Sequence, residues 1–493
     1  MQRTRDFFNG SGSVHGVADR VGMAVFWDIL GWLVPLVMLP VVARRHTPGA
    51  SLAWLILIFF TPWLGLVLYL LIGENIVMRR STKCYCERIR EVRALDRLSR
   101  QDRMLHSRPD AGRCLWLAHL TEPFTCMPII DNNGVEFLDD GRTVIERLVA
   151  DIENACDHVH LLFYIFNDDE VGRRVAEAMV KAVERGVRCR LLVDAFGSRG
   201  MMRSMANRLM DHGIEFNALM PANPFRRHLS RFDLRNHRKL AIIDGRIAYT
   251  GSQNIEHKDY DNGRAEAWHD LMVRVTGPAV LKLQLVFCED WYLASEVFLE
   301  DNGLFPEPDL GGTAAIRVMP SGPEDPSTTL RDLMIAVIFG ARERIIMTSP
   351  YFIPDEPFLV ALHLAALRGV QVDLIIPRTA DHVIVGAVAR AHFERLIKSG
   401  VLIHLHRGLL HSKTMSVDET LGIIGTANFD HRSFFLHAEL SLLLYGSDVT
   451  RGLRSKQVHY IDQSESLDPV RWRERSRLLR SRDEILKLLS PLL

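Results

Sequence analysis

Two short segments of the chain carry the same reactive side chains at the same spacing. Each reads His-x-Lys-x4-Asp-x6-Gly-[Ser/Thr]-x-Asn, and a pattern of this length that occurs twice is not explained by coincidence. A histidine can attack phosphorus or carry a proton, and a lysine supplies a fixed positive charge beside it. The motif residues are His237, Lys239, Asp244, Ser252 and Asn254 in the first copy, and His411, Lys413, Asp418, Thr426 and Asn428 in the second.

These residue types suit the transfer of an anionic phosphodiester. Attack at phosphorus requires the charge on the equatorial oxygens to be neutralised, and the two lysines, with the hydroxyl and amide donors, can do this without a metal. Neither copy alone supplies both a nucleophile and an acid for the leaving group. We therefore predict one active site where two halves of the chain meet, with no metal and no other cofactor.

The aspartate of the first copy is predicted to be structural. Asp244-Gly245 between two apolar runs is a strong signal for a β-hairpin. A two-residue turn pairs Ile243 with Arg246, and counting outward then places Ser252 opposite His237. The aspartate lies in the turn, away from the face that carries the histidine and the lysine.

The second copy gives the same geometry, with a turn at Asp418-Glu419 and Thr426 opposite His411. Because both motif aspartates then lie in turns, each histidine needs another carboxylate to hold its tautomer and stabilise its charged form. The candidates lie on the next strand of each half and are Asp270 and Glu439.

Around the motifs, strand-length apolar runs alternate with helical patterns in the same order in two stretches. Such alternation indicates α/β units with a largely buried sheet. We predict two homologous halves, each with a mixed β-sheet flanked by helices and with the active site at their interface. The matching segments are 145–155, 160–166 and 186–193 in the first stretch, and 333–341, 345–352 and 369–376 in the second.

Two apolar runs near the N-terminus, at 23–43 and 52–73, are each long enough for a membrane-spanning helix. The first run is broken only by Asp28, and the second carries no charge. The alternatives are a cleaved signal peptide for the first run and buried core helices for both. A transmembrane hairpin is favoured, and the excess of arginine and lysine on its two flanks predicts that both ends, and therefore the catalytic part, face the cytoplasm.

The composition limits the partners of the chain. Lysine and arginine together number 60, as do aspartate and glutamate, so there is no basic excess of the kind that binds nucleic acid. The predicted segments are a leader at 1–20, the hairpin at 21–73, a basic connector at 74–125, the first half at 126–300, a linker at 301–312, and the second half with a C-terminal helix at 313–493.

With these residues in view, the chain resembles the phospholipase D superfamily and, within it, the bacterial cardiolipin synthases. The resemblance covers nearly the whole chain. Besides the two motifs it is carried by Ala53-Trp54-Leu55, Tyr69 to Gly73, Arg235 to Lys239, Thr348 to Pro354, Asn428 to Ser433 and Leu489 to Leu493.

The resemblance implies a two-step exchange in which His237 forms a phosphatidyl-histidine intermediate and His411 acts as general acid and base. Its substrates would be two phosphatidylglycerol molecules, its products cardiolipin and glycerol, and its location the bacterial inner membrane. The alternatives are a phospholipase D-type hydrolase, a transphosphatidylase with another donor or acceptor alcohol, and a metal-independent nuclease. The chain departs from the family pattern at His437 and His269, beside the predicted carboxylates.

The tail from Trp472 to Leu493 has apolar residues spaced to line one stripe of a helix, at Leu478, Ile485 and Leu489. We expect this stripe to pack on the catalytic domain, with membrane contact as the alternative.

Overall fold

The computed structural model divides the chain into two units, Met1–Arg79 and Arg80–Leu493. The predicted leader and most of the predicted connector lie outside the described residues. The structure describes residues 31–44, 48–73, 119–121, 127–220, 234–257, 268–301, 303–322, 329–380, 382–488 and 490.

In the residues that the structure describes, the first unit forms short apolar helices. They are α1 (residues 31–44), α2 (Pro48–Phe60), α3 (Pro62–Leu68) and a π-helical turn (Tyr69–Gly73). Met38, Val42, Ile58 and Tyr69 form a small core between them. Within the part of the chain that the structure describes, no helix combines the length and the apolar character needed to cross a membrane.

The second apolar run is therefore not the single helix that the sequence predicts. It is interrupted at Thr61, because Pro62 begins a new helix and has no N–H to continue the old one. Gly65 then lies so close to the preceding helix that a Cβ there would be 2.7 Å from the Cα of Ile58. The run forms two helices folded against each other.

The second unit holds both motifs, and its first half begins with a strand that precedes a βα alternation. The elements are β1 (Ile130–Leu138), α4 (Gly141–Glu153), β2 (His158–Phe163), α5 (Glu170–Glu184), β3 (Arg188–Asp194), α6 (Arg199–Ser204), α7 (Ala206–Asp211), β4 (Glu215–Leu219), β5 (Arg235–Asn236), β6 (Lys239–Ile243), β7 (Ile247–Gly251), β8 (Trp268–His269), β9 (Met272–Thr276) and α8 (Ala279–Ser295).

The second half repeats this programme and adds helices at its end. Its elements are β10 (Ala314–Ser321), α9 (Thr329–Gly340), β11 (Arg344–Thr348), β12 (Phe352–Ile353), α10 (Glu356–Leu367), β13 (Gln371–Pro377), α11 (Val383–Lys398), β14 (Leu402–His406), β15 (Leu409–Leu410), β16 (Thr414–Val417), β17 (Leu421–Gly425), β18 (Phe429–Asp430), α12 (His431–Phe435), β19 (His437–Tyr445), α13 (Ser447–Asp462), β20 (Ser464–Ser466), α14 (Pro469–Arg473) and α15 (Arg477–Lys487).

The predicted α/β repeats are confirmed, and their sheets join into one sheet of 16 strands. The strand order in the first half is β4-β3-β2-β6-β7-β9-β1, and the second half continues as β10-β19-β17-β16-β11-β13-β14-β20. The sixteenth strand, β5, lies off this path and pairs with β19. Strands β1 and β10 pair antiparallel at the centre, with Ile130 opposite Ile316. Outward from this central pair, strands β9, β7, β6, β2, β3 and β4 of the first half follow the same order as β19, β17, β16, β11, β13 and β14 of the second half.

Helices cover both faces of the sheet, as the nearly continuous apolar strands require. Along β2, Leu161 and Phe163 pack into one core with α4 and α5, whereas Leu162 packs into the central core beneath α8. The two faces are therefore occupied by alternate residues of one strand. This leaves the ends of the strands, where the motifs lie, as the place for a site.

Candidate active site

Each motif lies on a β-hairpin, as predicted, but the turn is one residue longer than expected. In the first hairpin Ile243 pairs with Ile247, and in the second Val417 pairs with Leu421. The prediction that Ser252 lies opposite His237, and its counterpart for the second hairpin, are therefore wrong by one residue.

The side chains of the motif aspartates account for the longer turns. The carboxylate of Asp244 accepts N–H groups from residues 156–158 at 2.8, 2.8 and 2.9 Å. The carboxylate of Asp418 accepts those of residues 342–344 at the same three distances. Both aspartates have positive φ, 53° and 54°, which a short side chain bonded to nearby backbone can sustain. Both lie in turns and tie the hairpin to the start of the adjacent strand.

Two pairs of short strands connect the halves at the site. The segment before the first motif, β5, pairs with the beginning of β19, and the N–H of His237 donates to the carbonyl of Ala438 at 2.8 Å. The segment before the second motif, β15, pairs with β8, and the N–H of His411 donates to the carbonyl of His269 at 2.8 Å. Each motif histidine is thus placed beside the carboxylate of the opposite half.

Each motif histidine consequently contacts a carboxylate that the other half of the catalytic unit supplies. Nδ1 of His237 lies 3.1 Å from both carboxylate oxygens of Glu439. Nδ1 of His411 lies 2.6 Å from Oδ1 of Asp270. The sequence indicated these two carboxylates as candidate partners of the histidines without assigning either to a particular histidine, and the structure pairs each with the histidine of the other half.

The hydroxyl groups of the motifs support the carboxylates. Ser252 donates to Oδ1 of Asp270 at 2.6 Å, and Thr426 donates to Oε2 of Glu439. Each hydroxyl has a single hydrogen, and in both cases a carboxylate accepts it. Ser252 and Thr426 therefore orient carboxylates, and the expectation that they donate to the phosphodiester is wrong.

The two motif lysines are buried beside the histidines. Nζ of Lys239 donates to the carbonyl of His237 at 2.8 Å, and Nζ of Lys413 to that of His411 at 2.6 Å. Burial lowers the pKa of Lys239 to about 8, and burial together with the charge of Lys239 lowers the pKa of Lys413 to about 7. The two ammonium groups repel each other, so the site favours an anion between them.

Both histidines are held in the neutral form. Burial is the main cause that lowers the pKa of His237 well below its ordinary value, and Lys239 and Lys413 add to it. Burial and the charge of Lys413 lower the pKa of His411 to about 4. A carboxylate at Nδ1 accepts the ring proton there, so Nε2 carries a free lone pair. Such an imidazole can attack phosphorus or receive a proton.

The two motif asparagines are placed differently. Asn254 donates from its amide to Oε1 of Glu256 at 3.0 Å. Asn428 is buried, and its side-chain oxygen has no hydrogen-bond partner within the described structure. The unpartnered oxygen of Asn428 is an acceptor, and its amide lies beside the carboxylate of Asp430, as the amide of Asn254 lies beside that of Glu256.

Aromatic rings flank the histidines, and no motif or spacing in the sequence indicated them. Tyr164 meets His237 edge to face, with ring centroids 4.9 Å apart, and its ring lies 5.4 Å from Nζ of Lys239. Trp268 meets His411 in the same manner at 4.7 Å. Each ring restricts the orientation of one imidazole and excludes water from one side of it.

Arg238, between the histidine and lysine of the first motif, is another residue that motif reasoning missed. Its guanidinium is 2% exposed and donates to Asp290 at 2.7 Å, and to the backbone carbonyls of Glu439 and Ser321 at 3.0 and 3.1 Å. A charge directly before a buried strand was the available signal. The side chain connects the first half to two strands of the second half.

His437 is the departure from the family pattern that lies nearest to the chemistry. Its ring is 5.7 Å from that of His237, and neither of its nitrogens has a hydrogen-bond partner among the described residues. His237, His437 and Glu439 each offer one ligand atom, and these atoms lie within 4.8 Å of one another, so this trio could hold a metal ion. The other departure, His269, stacks edge to face on His406 at 4.8 Å.

Comparison with known proteins identifies the two motif-bearing segments. The family model described as "Cardiolipin synthase, PLD-like domain" matches residues 148–291 and 334–457. The crystal structure of phosphatidylserine synthase from Haemophilus influenzae Rd KW20 covers 77% of this chain and 100% of its own, at 15% identity and a TM-score of 0.58. At that identity the likeness shows a shared fold.

Similarity to curated sequences extends over almost the entire chain. Cardiolipin synthase A of Yersinia pseudotuberculosis serotype IB (strain PB1/+) is 33% identical over an alignment of 490 positions that covers 96% of this chain and 100% of that protein. Cardiolipin synthase A of Edwardsiella ictaluri (strain 93-146) is 33% identical over 494 residues with the same coverage. The chain therefore belongs to the cardiolipin synthase family of phospholipase D-like enzymes.

Proposed function

We propose that the chain is a cardiolipin synthase that converts two phosphatidylglycerol molecules into cardiolipin and glycerol. The observation that carries the proposal is the exchanged arrangement of His237 on Glu439 and His411 on Asp270, with a lysine beside each histidine. This arrangement provides two imidazoles of similar environment on opposite sides of an anion-binding position. One can act as nucleophile while the other transfers the proton.

In the first step, Nε2 of His237 attacks the phosphorus of one phosphatidylglycerol. The N–P bond forms as the P–O bond to the headgroup glycerol breaks, and protonated His411 gives its Nε2 proton to the leaving oxygen. The assignment of His237 as nucleophile follows from its position in the first motif of the family. Glu439, at Nδ1, stabilises the positive charge that develops on the ring.

In the second step, the headgroup hydroxyl of a second phosphatidylglycerol replaces glycerol in the site. His411 takes the proton of this hydroxyl as its oxygen bonds to phosphorus, and the N–P bond to His237 breaks. The product is cardiolipin, and both histidines return to their starting states. Water in place of the second lipid would give phosphatidic acid, which is the hydrolase alternative.

The lysines provide the charge for both steps. Burial lowers the pKa of each of them, so placing the ammonium groups there costs free energy that a bound phosphodiester anion offsets. The same anion raises the pKa of His411 and allows it to be protonated for the first step. Substrate binding therefore prepares the acid that the reaction needs.

We also propose that the helical unit at 31–73 attaches the enzyme to the bacterial inner membrane, with the catalytic unit in the cytoplasm. The support is the number of large apolar side chains that it exposes. Those at least half exposed are Trp32, Leu36, Val37, Leu39, Leu52, Phe59, Phe60, Leu64, Val67 and Leu70. Exposed apolar surface of this extent is typical of contact with lipid.

The deciding experiment is to incubate the purified full chain with phosphatidylglycerol vesicles and a metal chelator, and to follow lipids and glycerol by mass spectrometry. Cardiolipin with an equal amount of glycerol is the expected result. Phosphatidic acid without cardiolipin would identify a hydrolase, and the absence of turnover would refute the proposal. The variant His212→Ala, at an exposed histidine that directly follows α7, is the matched control for substitutions at the site.

A further inference from the structure

The C-terminal helix α15 packs on the catalytic unit in an unexpected orientation. Asp483 is 1% exposed and is the only residue of this helix that is fully buried. The sequence predicted the opposite, namely that the apolar stripe of this segment packs on the domain. Leu478 and Ile485 are instead 84% and 66% exposed, and Leu489 lies outside the described residues.

The buried side of the helix is held by charge. Arg475 donates to Asp483 at 3.1 Å, Arg482 does so at 2.9 Å, and Nε of Arg390 on α11 lies 3.7 Å from the same carboxylate. Trp472 packs on Phe393 of α11 with ring centroids 5.4 Å apart. A buried carboxylate among three guanidinium groups fixes which face of the helix points inward.

The opposite side of α15 is apolar and exposed. Leu478 and Ile485 are seven residues apart and share one face, and Leu488 follows 80% exposed. Leu479, at the edge of this face, is 43% exposed. Four large apolar side chains in eleven positions, none of them used for packing the domain, form a surface suited to an external partner.

The charge around this surface identifies the class of partner. Between Pro469 and Leu488 the basic residues are Arg471, Arg473, Arg475, Arg477, Arg480, Arg482 and Lys487, and the acidic residues are Glu474, Asp483 and Glu484. A strongly basic surface attracts an anionic partner. A second copy of the same surface would be repelled by like charge, so symmetric self-association is disfavoured.

We propose that α15 is an interfacial helix by which the catalytic unit lies on an anionic phospholipid bilayer. Leu478, Ile485 and Leu488 enter the boundary between headgroups and acyl chains, and the surrounding arginines contact lipid phosphates. The ionic contacts of Asp483 keep the apolar side turned outward. This contact goes beyond catalysis, and it is independent of whether the bound lipid is also a substrate.

The test uses the full chain in lipid nanodiscs with the photo-crosslinking residue p-benzoylphenylalanine in place of Leu478 or, separately, Ile485. The matched control carries it in place of Leu367 at the end of α10, a leucine that is 64% exposed. Because crosslinking is local, attachment through the helical unit at 31–73 does not produce a signal at these positions. Turnover is not needed, so the result does not depend on the proposed reaction.

In discs that contain phosphatidylglycerol, we expect lipid adducts at positions 478 and 485 about tenfold above those at 367. Removal of one exposed charge by Arg477→Gln or Arg473→Gln is expected to lower the yield about fivefold. Lipid adducts no more frequent than at position 367 would overturn the proposal, as would adducts to a second protein chain. Equal yields in discs of neutral lipid alone would overturn the assignment of an anionic surface.

Discussion

The two halves of the catalytic unit share a strand order but contribute differently to the site. The position between histidine and lysine is Arg238 in the first half, where it donates to Asp290 and to two carbonyls across the interface. In the second half it is Ser412, which makes one hydroxyl contact to Thr348 at 3.3 Å. The repeat determines where the reactive residues lie, and the residues between them make the halves unequal.

The carboxylates differ in the same way. Glu439 contacts His237 through both oxygens at 3.1 Å, whereas Asp270 contacts His411 through one oxygen at 2.6 Å. Because each half supplies the carboxylate for the histidine of the other, the unit of function is the pair. Variants made in equivalent positions can therefore separate what the halves share from what they do not.

Substitution of alanine for either motif histidine is expected to have the largest effect on the rate of cardiolipin synthesis. His237→Ala and His411→Ala should each reduce cardiolipin synthesis by about 10⁴-fold or more in a folded protein. With a lipid analogue that releases nitrophenol, His411→Ala should still accumulate a phosphorylated protein because this leaving group needs no proton. Intact-protein mass spectrometry measures the adduct. An adduct on His411 would reverse the assignment.

Substitution of the carboxylates tests the exchanged pairing. Glu439→Gln and Asp270→Asn should lower kcat by about 10³- to 10⁴-fold, since each removes the acceptor that holds a histidine tautomer. The nitrophenol analogue should largely restore adduct formation in Asp270→Asn, whose partner is the acid, and should not restore it in Glu439→Gln. Rescue of Glu439→Gln alone would indicate pairing within each half.

The difference between Arg238 and Ser412, at the position between histidine and lysine, should appear in the free energy of unfolding. Arg238→Met leaves Asp290 buried without its cation and is expected to lower the free energy of unfolding by about 3–5 kcal/mol. Ser412→Ala removes one neutral contact and should cost about 1 kcal/mol. Denaturant unfolding of both variants measures the difference, and equal losses would show that Arg238 does not fasten the halves more strongly than Ser412 does.

Deprotonation of the lysines should make the activity fall at alkaline pH. Burial lowers the pKa of Lys413 to about 7 and that of Lys239 to about 8, so the ammonium charge is present at lower pH and is lost as pH rises through these values. We expect kcat/KM to fall about tenfold per pH unit above this range. Lys413→Arg, which stays charged, should move the limit upward by about one unit, whereas Lys239→Arg should leave it near 7. An unchanged pH profile of kcat/KM in Lys413→Arg would contradict the conclusion that Lys413 loses its proton before Lys239 does.

The motif aspartates should show the smallest effects, and the same ones in both halves. Asp244→Asn and Asp418→Asn each weaken three backbone hydrogen bonds and should lower the free energy of unfolding by about 1–3 kcal/mol, with kcat largely retained. A loss of kcat comparable to that of Asp270→Asn, in a protein of normal stability, would give these aspartates a direct role in the reaction.

Much of the fold could be predicted because its signals are local. Strand and helix periods, the hairpins at Asp244 and Asp418, and the repeat of the whole programme all depend on residues close in sequence. The turn length could not be predicted in this way, because the extra residue follows from bonds between Asp244 and residues 156–158, which are distant in the chain. The pairing of Glu439 with His237 likewise depends on contact between β5 and β19.

The inward face of α15 was misjudged for a related reason. A hydrophobic stripe normally faces the domain, and the rule fails here because Asp483 finds three guanidinium groups, one of them on a distant helix. Tyr164 and Trp268 were missed because aromatic residues are common in buried strands and loops, and only their approach to a histidine distinguishes them.

The antiparallel pairing of β1 with β10 makes the catalytic unit one continuous sheet, and this has a kinetic consequence. The continuous backbone hydrogen bonds hold the two motifs in one relative position, so a single site serves both steps of the proposed reaction. With the proposed intermediate on His237, glycerol leaves this site before the hydroxyl of the second lipid attacks phosphorus. Initial rates measured against donor and acceptor should accordingly give the parallel lines of a ping-pong mechanism.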